Sequence, residues 1–303
     1  MNRRTVNRLV MSIALLIGCG FASGAVVTDN LVMHLTSLDE SSYGGSGQIW
    51  HDLSGNNNNA YLGWSGNVEN GDPSYISSAP PRFSLSRTSS DNYHGQGFQI
   101  SDSSSLDVSS TFTLEAWIKP ASDVFAYDSN IMIFDKYRNK SQPNDAGYAL
   151  KLIKDESTGE GKLSFSVRNR SASSTGLIEL NEWSHVAVTY YYEGGENEHG
   201  VVKFYINGQE AGSNTSIWWR PANDSARSLL IGLEVASNAD WTGQGWPARR
   251  FFDGEIAVAR IYDKVLSADE VVQNYNSEVN SIPEPATICL MLSGIIGILH
   301  KKQ

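Results

Sequence analysis

The sequence predicts an all-β chain built as a sandwich of two antiparallel sheets, and three observations predict it. Helical periodicity is nearly absent between residues 26 and 266, and short runs of period-two alternation recur in its place, separated by Gly, Asn, Asp and Ser clusters. About a dozen such runs with no helices between them require antiparallel pairing in closed layers. Both cysteines, Cys19 and Cys289, fall outside this span, so the domain has no disulfide and must be held by a core. With 40% hydrophobic residues, eight Trp and thirteen Tyr, the chain has the apolar surface to build one.

The elements follow in order. Arg3, Arg4 and Arg8, an apolar run over residues 9–21 and the small residues Ala22-Ser23-Gly24-Ala25 make residues 1–25 a signal peptide cut after Ala25. Leu16-Ile17-Gly18-Cys19 resembles a lipoprotein box and offers lipidation at Cys19 as the other processing route. In the first clear strand Phe112, Leu114, Ala116 and Ile118 share one face, with Thr113, Glu115, Trp117 and Lys119 on the other. Leu163, Phe165 and Val167 alternate in the same way, and residues 185–192 are β-branched and aromatic. Val202, Phe204 and Ile206 lead into Asn207-Gly208, a pair suited to the two positive φ angles of a type I′ hairpin turn. Residues 229–235 and 251–262 complete the strands. One helix is predicted from Ser267, with Glu270 three residues on as a capping box, carrying Val271, Val272 and Tyr275 onto the sandwich. Residues 26–276 form the domain, 277–282 a polar linker and 283–303 a terminal segment.

That last segment reads Pro283-Glu284-Pro285, an apolar stretch over residues 287–299 and a basic end with Lys301 and Lys302. It resembles a PEP-CTERM sorting signal: prolines keep the motif extended for a protease, a short membrane helix follows, and lysines hold the end inside. The resemblance implies transient membrane insertion, cleavage by an exosortase, and export across the inner membrane of a Gram-negative bacterium to its envelope, outer surface or extracellular matrix.

The domain resembles the concanavalin A-like jelly rolls of laminin G-like type over residues 31–276. Four segments carry the resemblance: Trp50-His51-Asp52-Leu53-Ser54-Gly55-Asn56-Asn57-Asn58; Phe112 to Pro120; Glu182 to Thr189 leading to Tyr205-Ile206-Asn207-Gly208; and Gly254-Glu255-Ile256-Ala257 leading to Arg260-Ile261-Tyr262. Val258 departs from the pattern, since many relatives carry an acidic residue there, and any site built on it is in doubt.

Between Val26 and Pro285 stand 18 basic and 33 acidic residues, a balance of −15. Such a surface disfavours nucleic acid and suits cations or neutral polymers. Glucanases of this fold aim paired carboxylates from one E-x-D-x-x-E strand, and no Glu here is followed two residues later by Asp. Glu115 reads as a structural or solvent-facing carboxylate and His185 as packed. The expectation is a non-enzyme.

Two candidate sites remain. Asp52, Ser54, Asn56 and Asn58, with Asp253 from a distant segment, offer hard oxygens for a structural calcium; the competing reading is that Asn and Gly only build turns. Trp218, Trp219, Trp241 and Trp246 lie in loop-like sequence and are candidates for stacking on sugars, or else plug the sandwich. The functional expectation is an exported surface protein binding extracellular polysaccharide or another surface protein. The alternatives are a polysaccharide hydrolase or lyase with an unrecognised site, and a purely structural coat component.

Overall fold

A computed structural model describes residues 24–88, 93–136, 147–167, 170–194, 200–215, 226–235, 241–242 and 248–282. Two eight-stranded antiparallel sheets face each other. The first runs Gln209–Asn214, Gly200–Ile206, Ser184–Tyr192, Thr111–Pro120, Gly254–Tyr262, Arg82–Leu85, Ser74–Ile76. Leu31–Thr36 joins it on the Gly254–Tyr262 strand. The second runs Arg170–Ser173, Gly161–Val167, Tyr148–Lys154, Asn130–Asp135, Leu229–Ile231, Phe98–Ile100, Ala60–Leu62, Ile49–Trp50. The predicted alternation holds: Phe112, Leu114, Ala116 and Ile118 point into the core between the sheets, where Trp50, Phe83 and Phe98 meet at ring separations of 4.7–5.1 Å. Asn207 and Gly208 take φ of 49° and 75°, as the hairpin requires.

The other face of the first sheet is also covered. The helix Ala268–Glu278 starts on Ser267 with both halves of the capping box formed. Val271, Asn274 and Glu278 share its buried face, while Val272 stays half-buried. The segment expected as a linker is folded: Glu278 ends the helix, Ile282 donates its N–H to the Glu278 carbonyl, and its side chain is buried with Trp117, Trp183 and Val258. Its polar composition hid one apolar anchor at the end. At the opposite flank Val27 is buried against Tyr262 and Val271, its N–H donating to Asn274 Oδ1 at 2.8 Å.

Beneath this cover lies a charged ladder. His34, Arg260, Glu115 and Ala187 sit opposite one another across four adjacent strands. Arg260 Nη1 reaches Glu115 Oε1 at 2.6 Å and Glu278 Oε2 at 3.1 Å, and its Nη2 donates to Glu278 Oε1. Trp117 Nε1 donates to Glu278 at 2.9 Å and Asn274 Nδ2 to Glu115 at 2.8 Å. Glu115 and Arg260 are both fully buried, so Glu115 is structural and does not face solvent. Burial alone would raise its carboxyl, but His185, Arg260 and Asn274 overcome that and hold it near about 2. Among the described residues no helix is long and apolar enough to cross a membrane.

Candidate functional site

The Asp52 turn is closed on itself. Asp52 Oδ1 accepts from the N–H groups of His34 and Ser54 at 2.8 and 2.9 Å, and Oδ2 accepts from Ser54 Oγ and the Asn58 N–H at 2.7 and 2.9 Å. A carboxylate offers about four lone-pair sites, and all four are filled by protein donors. Asn56 and Asn58 turn their amide N–H groups onto the carbonyl of Val32, and Asn58 Oδ1 accepts from Ser103. Asp253 does not join them. It lies at the start of the Gly254–Tyr262 strand, paired with Arg87 at 3.0 Å, roughly 20 Å along that strand at about 3.3 Å per residue. Among the described residues no three His, Cys, Asp or Glu are grouped to hold a metal. The donor set therefore does not fit calcium, whose shell needs six to eight free oxygens. Asp52→Ala is expected to destabilise by about 2–3 kcal/mol through four lost acceptor contacts, with a melting temperature indifferent to calcium or chelator. A calcium-dependent rise in the wild-type melt would contradict this.

Beside that turn lies an open recess of about 300 Å³ at one end of the sandwich. Asn30, Asn56, Ser104, Ser105, Asp107 and Asp263 supply its polar lining. The fold positions each for a local reason. Asn30 takes a left-handed φ of 55° just before the Leu31–Thr36 strand and bonds reciprocally to the backbone of Asp263 where the partner strand ends. The short 3₁₀ turn Ser104–Leu106 brings the serines in, and buried Leu106 anchors it. Asp107 is held from behind by Lys136 Nζ at 3.0 Å, a buried ammonium that also meets Asp102 at 2.6 Å. Burial raises the Asp263 carboxyl above its ordinary range. Asn56 is the one residue here that the sequence had marked. The others are missed because each looks like an ordinary turn residue, and only the pairing of distant strands brings them together.

The tryptophan candidates divide. Trp241 is buried at 2% exposure, edge-on to Trp64 at 5.2 Å and packed with Leu233, Val235, Ala248 and Phe251. It is a plug for the two-stranded ribbon Glu234–Val235/Ala248–Arg249, not a sugar platform. Gly71 makes room for both indoles, since a Cβ there would sit 2.6 Å from the Trp64 ring and 2.9 Å from the Trp241 ring. Trp218, Trp219 and Trp246 lie outside the described residues, as do Pro283, Glu284 and Pro285. Val258, where an acidic residue was the family expectation, is buried against Trp117 and Ile282, so no site opens there.

Comparison with known proteins bears on this architecture. A laminin G-like family model, described as the concanavalin A-like lectin/glucanases superfamily, matches residues 91–272. No curated protein matches the chain. Among solved structures, domain 4 of AbnA, a GH43 extracellular arabinanase from Geobacillus stearothermophilus in complex with arabinotriose, is 20% identical. That match covers 81% of this chain and 98% of the other at a TM-score of 0.50. The binding domain of Paraclostridial Mosquitocidal Protein 1 is 19% identical over 84% of this chain and 53% of its own, with a TM-score of 0.52. The binding domain of Botulinum Neurotoxin DC in complex with SialylT is 14% identical over 82% and 52%, also with a TM-score of 0.52. This chain thus spans about half the length of the two toxin chains, and at these identities the likeness is one of fold. With more than half of its length inside the family match and both sheets formed, the chain belongs to the concanavalin A-like lectin/glucanases superfamily.

Proposed function

We propose that this chain is an exported surface protein whose sandwich binds neutral glycan without catalysis. The observation that carries the reading is the polar recess between Asn30, Asn56, Asp107 and Asp263 at the end of the sandwich. Its volume is at the small end of ligand sites, and its lining of carboxylates, amides and hydroxyls matches the hydroxyls of a sugar unit. Membership of a superfamily of lectins and glucanases, and neighbours seen with arabinotriose and SialylT, support glycan as the ligand class. The balance of −15 over residues 26–285 favours a neutral polymer over an anionic one.

Absence of catalysis is supported by the position of Glu115, sealed beneath the helix where no substrate reaches it, and by Asp107, tied to Lys136. Export is supported by the leader-like residues 1–25 and the Pro283-Glu284-Pro285 segment with its apolar stretch and basic end. The reading makes an exosortase the processing partner, and an intact mass ending before Ala286 in protein recovered from the host surface is the expected result. Recovery of Lys301 and Lys302 in the surface form would contradict it.

For the recess, Asp263→Ala is expected to weaken binding of a neutral oligosaccharide about tenfold, the loss of one hydrogen bond to a charged group. Isothermal titration of the purified chain measures it, and a reducing-end assay on the same mixtures should stay at background. Steady release of reducing ends would turn the assignment to a hydrolase.

A further inference from the structure

Resting on the glycan-binding reading above, we infer that the Asp263 recess takes glycan whose hydroxyls are free and rejects the same glycan once they are O-acylated. The reason lies in the lining, whose side chains accept hydrogens and offer almost none. The two amides show the bias first. Asn56 Nδ2 donates to the carbonyls of Leu31 and Val32 at 3.0 and 3.1 Å, and Asn30 Nδ2 donates to the Asp263 carbonyl at 3.3 Å. A carbonyl can only accept, so these contacts fix which way each amide faces and leave both Oδ1 atoms unspent. Among the described residues no donor reaches either oxygen.

The carboxylates add acceptors in the same sense. Asp107 meets Lys136 Nζ through Oδ1 at 3.0 Å, and among the described residues no donor reaches its Oδ2. Asp263 has neither an ion pair nor a side-chain hydrogen bond among them, and burial alone raises its carboxyl. Lys264, next along the chain, is spent on Asp29 at 3.0 Å and Glu270 at 2.7 Å, and Lys136 also meets Asp102 at 2.6 Å. Asp29, Asp102, Asp107, Asp263 and Glu270 thus share two ammonium groups, which leaves the recess acidic and opposed to uronate or sulfated polymer. Ser105 Oγ is held between Asn58 and Ser103, so Ser104 is the one lining side chain with a hydrogen to give.

A sugar hydroxyl brings one hydrogen and two lone pairs, so it meets such a lining by donating. Acylation replaces that hydrogen by a carbon and adds a carbonyl oxygen. The new group is an acceptor set against acceptors, and its desolvation is not repaid. The unspent oxygens come from four residues spread around a recess of about 300 Å³. That spacing suits several hydroxyls of one sugar unit, whereas an ammonium is a compact point charge. Enzymes that add or remove esters on the polymer therefore set how much of it this chain holds.

Isothermal titration of the purified full chain tests this with arabinotriose, xylotriose and cellotriose. Each is used as the free sugar, with its hydroxyls O-acetylated, and with single hydroxyls replaced by fluorine. Fluorine is close to a hydroxyl in size but has no hydrogen, so it separates donation from bulk. At least one free sugar should bind, and its acetylated form and one or more of its fluoro analogues should each bind about tenfold more weakly. Asp263→Asn, which puts an N–H in place of one acceptor, should narrow the gap at one of those positions to less than about threefold, at an unchanged melting temperature. Fluoro analogues that all match the free sugar, or an acetylated form that binds as well, overturn the inference and leave the glycan reading standing. A gap that survives Asp263→Asn at every position does the same. If no free sugar binds the wild type at about 10 mM, both fall together.

Discussion

Arg260→Met is expected to lower the unfolding free energy by about 3–5 kcal/mol. The side chain is fully buried and serves two carboxylates, Glu115 from an inner strand and Glu278 from the last turn of the helix. Met nearly matches the arginine stem in shape but carries no charge. Glu115 and Glu278 would be left as buried anions facing each other, and one or both would have to take up a proton. Most of the cost lies in that unpaired charge and not in the pair itself. Replacing Arg260, Glu115 and Glu278 together by Met, Leu and Leu should recover only part of the loss, since it removes the unpaired charge but takes the acceptors from the buried Trp117 indole and Asn274 amide. Urea denaturation of the single and triple variants reads both effects. A loss below about 1 kcal/mol for the single change would mean that water reaches the cluster.

Acid is expected to destabilise the fold in two stages. His34 lies in register beside Arg260. Burial, with the nearby Arg260 charge, depresses its pKa to about 3 from an ordinary value of 6.5. The folded chain keeps His34 neutral, whereas the unfolded chain protonates it below pH 6.5, so its contribution is complete above that pH and is lost as pH falls. Glu115, depressed to about 2 from 4.5, contributes fully above pH 4.5 and loses that contribution below it. Stability should therefore fall with a one-proton slope from pH 6.5 and steepen below pH 4.5. Asp253, Asp72 and Asp263, raised by burial, act in the opposite sense at the acid end, which leaves the upper window as the cleaner one. Because His34 keeps some contact with solvent, screening trims its share to about 2 kcal/mol by pH 4.5. His34→Gln should flatten the upper window and leave the lower one, as urea midpoints at pH 7, 6, 5 and 4 would reveal. An unchanged upper slope would assign it to another group.

What was legible in the sequence was whatever a local pattern encodes. Alternation over residues 112–118 placed Phe112 and Glu115 on opposite faces, and Ser267 with Glu270 marked the helix start to the residue. What escaped was the partner of each face. Glu115 and Arg260 are 145 positions apart, so a charge destined for burial looks like one bound for solvent until the strands are paired. Trp241 stood open between a sugar platform and a plug for a related reason: glycine-rich sequence around an indole suits either, and only its packing against Trp64 and Phe251 across the fold shows it inside. The Asp52 turn was legible as a turn, and its oxygens looked available only because their donors, the N–H groups of His34 and Asn58 among them, come from chain geometry.

Val27 and Ile282, the first and last buried residues among those described, both sink into the helix-bearing side of the first sheet. Val27 meets the helix at Val271 and Asn274, and Ile282 lies just past Glu278, so about 10 Å of helix at 1.5 Å per residue separates the two exits. A leash attached to either flank therefore holds the domain by one and the same cheek. The end of the sandwich that carries the Asp263 recess then lies to one side of the leash, like one arm of a yoke. A polymer strand seated in that recess need not pass beneath the point of attachment.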